Sequence, residues 1–323
     1  MRRLGALLLT SLAATPAAGD LPLQTPVDCS LGVDCYIQQT VDHDSGPGAS
    51  DFQCGPLTYD GHKGTDFALP SLSAMHAGVD VLAAAAGVVV GVRDGMTDAR
   101  QIGADAPDVI GRECGNGVVL QHADGWETQY CHLKKGSVAV TTRDRVEAGD
   151  VLGQIGLSGQ TQFPHLHLSV RKDDKVIDPF APDGNIACDA PVHTTLWVDN
   201  LDMQPGGLIT AGFASAVPDY EDIKQGSAAS DVIAADQPLV VWGYAFGGRP
   251  GDTIHLRIEG PQGHVMDEST ALDKNQSQLF RAIGRKAPDG GWAPGNYVGE
   301  IQMIRDGIVL DATQTLVFVV PPR

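Results

Sequence analysis

The chain has 323 residues, a formal net charge of −18 and a hydrophobic content of 42%. This length is enough for two domains with separate cores, and the composition is that of a globular protein rather than a disordered one. Because an acidic chain is repelled by phosphate backbones and anionic lipid surfaces, the charge argues against nucleic acid and membrane surfaces as partners.

The first residues predict an export signal. Arg2 and Arg3 precede the apolar run LGALLLTSLAA, which is too short to span a bilayer, and PAAGD offers a small-residue cleavage site near Ala18 or Gly19. An uncleaved anchor is the alternative. We assign residues 1–19 to a signal peptide and expect an exported protein, located in the periplasm or outside the cell, with no transmembrane segment after signal removal.

Six cysteines in an exported chain predict disulfide bonds, and the absence of a CxxC pair argues against a cysteine zinc site. Cys114 and Cys131 lie at like ends of two strand-like runs joined by a turn at Asp124–Gly125, which predicts a bridge across this hairpin. The sequence does not choose a pairing among the other four cysteines: Cys29, Cys35, Cys54 and Cys188.

Frequent glycine and proline residues separate short Val/Ile/Leu-rich runs, a pattern typical of strands and turns. Residues 20–59 form a cysteine-containing lead-in. Residues 60–190 predict an antiparallel β domain, with a polar insertion between Arg93 and Arg112 expected as a surface loop or short helix beside the site. After a Pro/Gly/Asp-rich linker, residues 191–323 predict a β-sandwich of immunoglobulin or fibronectin type. The expected fold class is all-β dominated.

Tryptophans of the C-terminal region allow two interpretations. Trp197, Trp242 and Trp292 could form a surface on which carbohydrate stacks. Aromatic residues of β-sandwiches more often lie in the core, and we expect that here. A targeting, spacer or partner-binding role for this region remains open.

The run FPHLHLSV places His165 and His167 two residues apart. In a strand, residues i and i+2 point to the same face, so the two imidazoles would lie side by side. Taken alone, such a pair also fits a solvated strand face.

Two further segments offer residues of the same chemistry. YDGHKGTDFAL carries His62 and Asp66, and because Gly61 and Gly64 argue against a helix, we expect both side chains on one face of an extended segment. His132 ends the strand-like run ETQYCHL, where an exposed edge histidine is the alternative interpretation. Two imidazoles and a carboxylate form a ligand set that zinc accepts, with a fourth position left for water.

Together, GHKGTDFA, YCHL and PHLHL resemble the M23 family of zinc metallopeptidases, the lysostaphin-type or LytM-like peptidoglycan endopeptidases. The resemblance covers residues 61–180 and includes the segment VEAGDVLGQIGLSG before the last motif. It implies an antiparallel sheet with a groove, and one Zn²⁺ per chain. The implied zinc ligands are His62, Asp66 and His167, and the implied catalytic, non-ligand histidines are His132 and His165.

The chain departs from the family pattern beside the last motif. Many members have an acidic residue two positions after HLH, where this chain has Ser169, and a Ser-Thr-Gly-Pro run before it, where this chain has SGQTQFP. The other histidines fit no motif and are expected at the surface or within strands: His43, His76, His122, His193, His255 and His264.

The resemblance implies hydrolysis of peptide cross-links or stem peptides of peptidoglycan by zinc-activated water. No HExxH motif supplies a glutamate base, so histidines would act as acid, base or oxyanion stabiliser. Two alternatives remain: a non-catalytic activator of other wall hydrolases, which would be expected to lack ligands, and a secreted peptidase for glycine-rich proteins.

Overall fold

The structure is a computed structural model that describes residues 21–103, 106–184, 186, 188, 194–199, 201 and 203–322. The predicted signal peptide lies outside these residues, and so do residues 189–193 around the predicted domain boundary. Within the described ranges, neither helix has the length and apolar character needed to cross a membrane.

Strands dominate the described part of the chain. The helices, each six residues long, are α1 (Leu72–Ala77) and α2 (Tyr220–Gln225). The strands are β1 (Tyr36–Gln39), β2 (Thr65–Ala68), β3 (Asp80–Leu82), β4 (Gly87–Arg93), β5 (Asn116–Gln121), β6 (Trp126–Leu133), β7 (Arg145–Val146), β8 (Val151–Gln154), β9 (His165–Lys172), β10 (Lys175–Ile177), β11 (Gly207–Ala214), β12 (Val232–Ala234), β13 (Leu239–Gly248), β14 (Thr253–Gly260), β15 (Gly263–Ala271), β16 (Gln276–Arg285), β17 (Gly295–Arg305) and β18 (Ile308–Val320).

The first half of the chain forms one large sheet, in the order β1-β2-β9-β6-β5-β4-β7, with β10 paired to β9. Its strand pairs are antiparallel, as predicted. Strand β9 shows why the sequence folds this way: Leu166, Leu168 and Val170 alternate with the histidines and are almost completely buried against the core. The intervening positions therefore face the opposite side, where the site lies.

The second half forms two sheets with a shared core. One has the order β11-β13-β16 and the other the order β12-β18-β17-β14-β15. Buried side chains such as Val241 from the first sheet and Leu256 and Ile301 from the second belong to one cluster, so the two sheets pack as a sandwich. Assignment to the immunoglobulin or fibronectin type stays a prediction.

Three disulfides link the six cysteines. The predicted bridge between Cys114 and Cys131 is confirmed. The pairings that the sequence left open are Cys29–Cys35 and Cys54–Cys188, with sequence separations of 6 and 134 residues. The bridge between Cys54 and Cys188 joins the lead-in to the segment that follows the sheet.

The segment after Cys188 contributes to the core of the first sheet. Trp197 is 4% exposed, and its ring lies 5.9 Å from that of Phe67 and 5.7 Å from that of Phe180. Backbone hydrogen bonds of 2.8 Å join Leu23 to Leu196 and Val198 to Leu23. All three tryptophans are buried, as expected, with Trp242 and Trp292 only 3% and 8% exposed. Trp197, however, lies in the core of the first sheet and not in that of the sandwich.

The two halves of the chain contact each other beside β1. The rings of Tyr36 and Phe246 lie 4.7 Å apart, and Gln38 donates a hydrogen bond of 2.9 Å to the Ser277 carbonyl. The Ser73 hydroxyl donates to the carbonyl of Gln225 at 2.7 Å, which joins α1 to α2. The sandwich is thereby placed next to the strands that carry the site.

The insertion between Arg93 and Arg112 is a loop, as one of the two predicted alternatives stated, because its described residues form neither helix nor strand. The Asn116 side chain accepts from the Met96 amide at 2.8 Å and donates to the Met96 carbonyl at 2.9 Å. Asp98 accepts hydrogen bonds from the amides of Lys135 and Leu157. These contacts fix the loop against the sheet.

We expect Trp197→Ala to destabilise the first core by about 3–5 kcal/mol, the usual cost of removing a buried indole. Urea denaturation, with hydrogen exchange of peptides from β2 and β9, measures the effect. Val198→Ala is the matched control, since Val198 is 61% exposed and its loss should change stability by at most about 0.5 kcal/mol. Equal stabilities of the two variants would show that this segment is not part of the first core.

Candidate metal centre

The centre is built on the antiparallel pair of β2 and β9. Asp66 lies directly opposite His167 in this pair, and Ala68 lies opposite His165. The register therefore brings the carboxylate to one imidazole: Asp66 Oδ1 is 2.8 Å from His167 Nδ1.

His62 reaches the same point from the turn before β2. A turn at Asp60–Gly61, closed by a 2.9 Å hydrogen bond from the His62 amide to the Tyr59 carbonyl, precedes His62, and a bend at Gly64 interrupts the predicted extended segment before β2. Gly64 lets the segment between His62 and β2 pass close to β9, since a Cβ at position 64 would lie 2.6 Å from His167 Nε2. The side chains of His62 and Asp66 still converge, with Nε2 and Oδ1 3.2 Å apart.

The three atoms fit a metal ion. The distance between His62 Nε2 and His167 Nδ1 is 3.1 Å, so each pair among the three atoms is separated by 2.8–3.2 Å. Ligands at ~2.0–2.1 Å from a tetrahedral zinc lie about 3.3 Å from one another. The site residues thus have nearly the spacing that zinc requires.

Hydrogen bonding prepares these atoms as ligands. His62 Nδ1 lies 2.6 Å from the Thr40 carbonyl oxygen, so it carries a proton and donates, which leaves Nε2 as the atom that faces the carboxylate. Ser169 Oγ lies 3.0 Å from His167 Nε2 and can accept from it, which leaves Nδ1 free to bind a metal. Burial lowers the pKa of His62, but Asp66 outweighs this effect and raises that pKa, so a proton or a metal cation is favoured between Nε2 and the carboxylate.

His132 enters the centre at the end of β6 in a left-handed conformation, with φ of 63°. Such a conformation is uncommon for a residue with a side chain. The disulfide of the preceding Cys131 fixes the strand end to Cys114, whose carbonyl accepts from the His132 amide at 2.8 Å. His132 Nδ1 donates to the Ser158 carbonyl at 2.8 Å, so its Nε2 also carries a lone pair.

His165 lies between His132 and the carboxylate. Its ring centroid is 4.7 Å from that of His132, and its Nε2 is 3.5 Å from Asp66 Oδ1. Its Nδ1 donates to the Phe163 carbonyl at 2.9 Å, and the Phe163 ring stacks on the imidazole at 4.4 Å. The orientation of this ring is therefore fixed by its neighbours.

Burial controls the charges in the centre. It holds the pKa of His132 well below its ordinary value, and the nearby imidazoles of His165 and His167 act in the same direction. It also lowers the pKa of His165, although Asp66 opposes this effect. For Asp66, burial alone would raise the pKa, but His62 and His165 outweigh it and keep that pKa well below the usual range. The centre thus contains a carboxylate beside two neutral imidazoles.

A groove of about 640 Å³ opens beside the centre and is lined in part by Asp66, His132 and His165. The insertion loop forms another part of its wall, through Gln101 and Val109. The loop therefore lies beside the site, as the sequence predicted.

The structure places all five predicted site residues together. The other described histidines lie elsewhere: His43 bonds to Asp178, His122 to Ala86 and Thr128, His76 is exposed on α1, and His255 and His264 lie near Asp267. His193 lies outside the described residues. A second group with metal-binding elements, Cys29, Asp34 and Cys35, has both sulfurs in a disulfide.

Sequence analysis missed the groups that orient the histidines. The acceptors from His62, His132 and His165 are the backbone carbonyls of Thr40, Ser158 and Phe163, and a backbone carbonyl has no signature in the sequence. Ser169 could have been found, because it replaces the acidic residue of the family pattern.

Comparisons with known proteins agree with this geometry. The model of peptidase family M23 matches residues 60–179. Cell division protein DipM of Caulobacter vibrioides is 41% identical over 68 residues, which are 21% of this chain and 11% of the relative. DD-carboxypeptidase/endopeptidase Mpg of Neisseria meningitidis serogroup B is 38% identical over 65 residues, 20% of this chain and 14% of the relative.

A third relative, Peptidoglycan DD-endopeptidase ShyA of Vibrio cholerae, is 33% identical over 106 residues, which are 33% of this chain and 19% of the relative. The chain therefore spans less than a fifth of the length of these three relatives. Residues 60–179, which the family model matches, contain the three motifs and the strands that carry them. Residues 60–179 of this chain are therefore similar to peptidase family M23.

Proposed function

We propose that this chain is an exported zinc metalloendopeptidase that hydrolyses peptide cross-links or stem peptides of peptidoglycan. The observation that carries the proposal is the convergence of His62 Nε2, Asp66 Oδ1 and His167 Nδ1 to within 3.2 Å of one another, beside a groove. The match of residues 60–179 to peptidase family M23 supports a peptidase, and two of the relatives are named as endopeptidases.

The donor set fits zinc, with His62, Asp66 and His167 as its ligands. Two imidazole nitrogens and one carboxylate oxygen are common zinc ligands, and three protein ligands are typical of catalytic rather than structural sites. Bound Zn²⁺ lowers the pKa of a coordinated water to ~7 and polarises the scissile carbonyl. Asp66 partly neutralises the charge of the ion, whereas the neutral imidazoles preserve its acidity.

His132 and His165 supply the proton transfers. Both rings donate through Nδ1 to backbone carbonyls, so each presents the lone pair of Nε2 to the site. Such a ring can accept a proton from the attacking water, and the resulting imidazolium can donate to the carbonyl oxygen or to the leaving amine. His165, next to Asp66, faces the substrate carbonyl in our assignment.

Three disulfides support the proposal of export, because such bonds persist in oxidising compartments such as the periplasm, where peptidoglycan lies. The alternative of a non-catalytic activator receives no support from ligand loss, since all five site residues are present and converge.

Digestion of purified peptidoglycan and of an elastin-like peptide side by side, with mass spectrometry of the products, tests the proposed substrate. We expect new peptide termini in the muropeptides and an intact elastin-like peptide. Cleavage of the elastin-like peptide alone would instead support a peptidase for glycine-rich proteins. Binding to peptidoglycan without cleavage of either substrate, by protein loaded with zinc, would support a non-catalytic role.

The two histidines of the HLH run should differ in their effects. His167→Ala removes a ligand, so bound zinc and activity should both fall. His165→Ala should keep zinc near one equivalent and lose at least ~10²-fold in turnover, mainly in kcat. Metal analysis and kinetics on both variants measure this, with His76→Ala, an exposed histidine of α1, as control. Loss of zinc from His165→Ala as complete as from His167→Ala would contradict this division.

We expect Ser169 to orient His167 and to tune the affinity for the metal. Ser169→Ala removes the acceptor at 3.0 Å from Nε2, and loss of such a contact typically weakens metal binding ~10–100-fold. Ser169→Asp, which installs a carboxylate acceptor, should bind zinc at least as tightly as the wild type. Competition with a chelating indicator gives the dissociation constants, with the exposed Ser269→Ala as control. Equal affinity of Ser169→Ala and the control would refute the role.

A further inference from the structure

The groove beside the metal centre has a wall that belongs to the C-terminal sandwich. The groove that is lined by Asp66, His132 and His165 is also lined by residues of the sandwich: Tyr220 and Lys224 of α2, and Ser277 and Gln278 of β16. The family match ends at residue 179, so this wall is supplied by a part of the chain outside the matched peptidase domain.

Hydrogen bonds hold the wall in place. Gln278 donates to the Tyr36 hydroxyl and to Gln38 Oε1, both at 3.1 Å, and accepts from the Tyr244 hydroxyl at 2.7 Å. Gln38 lies on β1 and is 1% exposed, and β1 pairs with the strand that carries Asp66. A partly buried polar network of this kind restrains the distance between the wall and the metal centre.

The wall also carries a positive charge in a strongly acidic protein. Glu221 of α2 pairs with Lys224 at 2.6 Å and with Arg100 of the insertion loop. Apart from histidines, the charged side chains among the described residues that line the groove are Lys224 and Asp66. Because Asp66 belongs to the metal centre, Lys224 is the cation of the opposite wall. The arrangement is suited to an anion in the groove.

Of the two cations that pair with Glu221, Lys224 is the one that lines the groove. Its side chain is 17% exposed, and its ammonium lies 4.7 Å from the centre of the Tyr220 ring. One of its three N–H groups is used by Glu221, and the ring fixes the direction of the side chain. A donor therefore remains for a ligand in the groove.

We propose that α2 of the sandwich completes the substrate groove and that Lys224 binds a carboxylate of the substrate peptide. This inference rests on the proposed function and deepens it, because stem peptides of peptidoglycan carry free carboxylates near their cross-links. The sandwich then acts as a specificity element for substrates with an acid at this position, and Lys224 as a positioning residue.

The test uses two cross-linked stem-peptide dimers that differ only in their carboxylates, which are free in one and amidated in the other. The full-length wild type should show a kcat/KM for the free acid about tenfold to a hundredfold above that for the amide, the range expected for one charge-assisted hydrogen bond. In Lys224→Met this ratio should fall to about one, mainly through KM for the free acid. Zinc content should stay near one equivalent.

Two further variants separate charge from structure. Lys224→Arg should restore most of the preference, and Lys286→Met, which removes an exposed lysine of the sandwich outside the groove, should keep the wild-type ratio. An unchanged ratio in Lys224→Met would overturn the inference, and so would a loss of activity on both dimers by the same factor.

Binding separates this inference from the proposed function. If the zinc-loaded wild type cleaves neither dimer, the proposed function fails. Fluorescence polarisation with the labelled free-acid dimer then still decides the inference. About tenfold weaker binding by Lys224→Met than by the wild type would support the carboxylate site, and equal binding would overturn it.

Discussion

The register between β2 and β9 is the constraint on which the rest of the site depends. It sets Asp66 opposite His167, and because side chains alternate along a strand, a slip of one residue would turn the carboxylate to the other face. Leu166 and Leu168 prevent the slip, since both are fully buried on the core side. The hydrophobic core thus determines the coordination geometry through the alternation of a single strand.

His132 depends on a different support. A left-handed residue with a side chain costs roughly 1–2 kcal/mol relative to the ordinary conformation, so it persists only where its surroundings require it. The bridge from Cys131 to Cys114 and the hydrogen bonds to the carbonyls of Cys114 and Ser158 meet this requirement. They aim Nε2 at the groove, and a freely rotating histidine would lose part of its effectiveness as an acid or base.

The sequence predicted the antiparallel sheet because short apolar runs alternate with turns and strand alternation is visible in the pattern of Leu and His. The five site residues were implied by the resemblance of three motifs to the M23 family, and the structure brings them together. The sequence was insufficient for contacts made by the backbone, such as the Thr40 carbonyl that orients His62, and for the bend at Gly64 that interrupts the predicted extended segment. The sequence also could not predict the position of Lys224 beside the groove. That position results from packing between segments more than 100 residues apart, and no local pattern encodes such packing.

The bridge between Cys54 and Cys188 has a consequence for the order in which the chain is oxidised. Six cysteines allow fifteen pairings. The partners of the other two bridges are only 6 and 17 residues apart and can meet by local motion, whereas the 134 residues that separate Cys54 from Cys188 contain β2 to β10. Native pairing of Cys54 with Cys188 therefore depends on the packing of the strands between them, and both thiols must be available when that packing brings them together. Earlier oxidation of either thiol with another partner would block this link between the lead-in and the segment that follows the sheet.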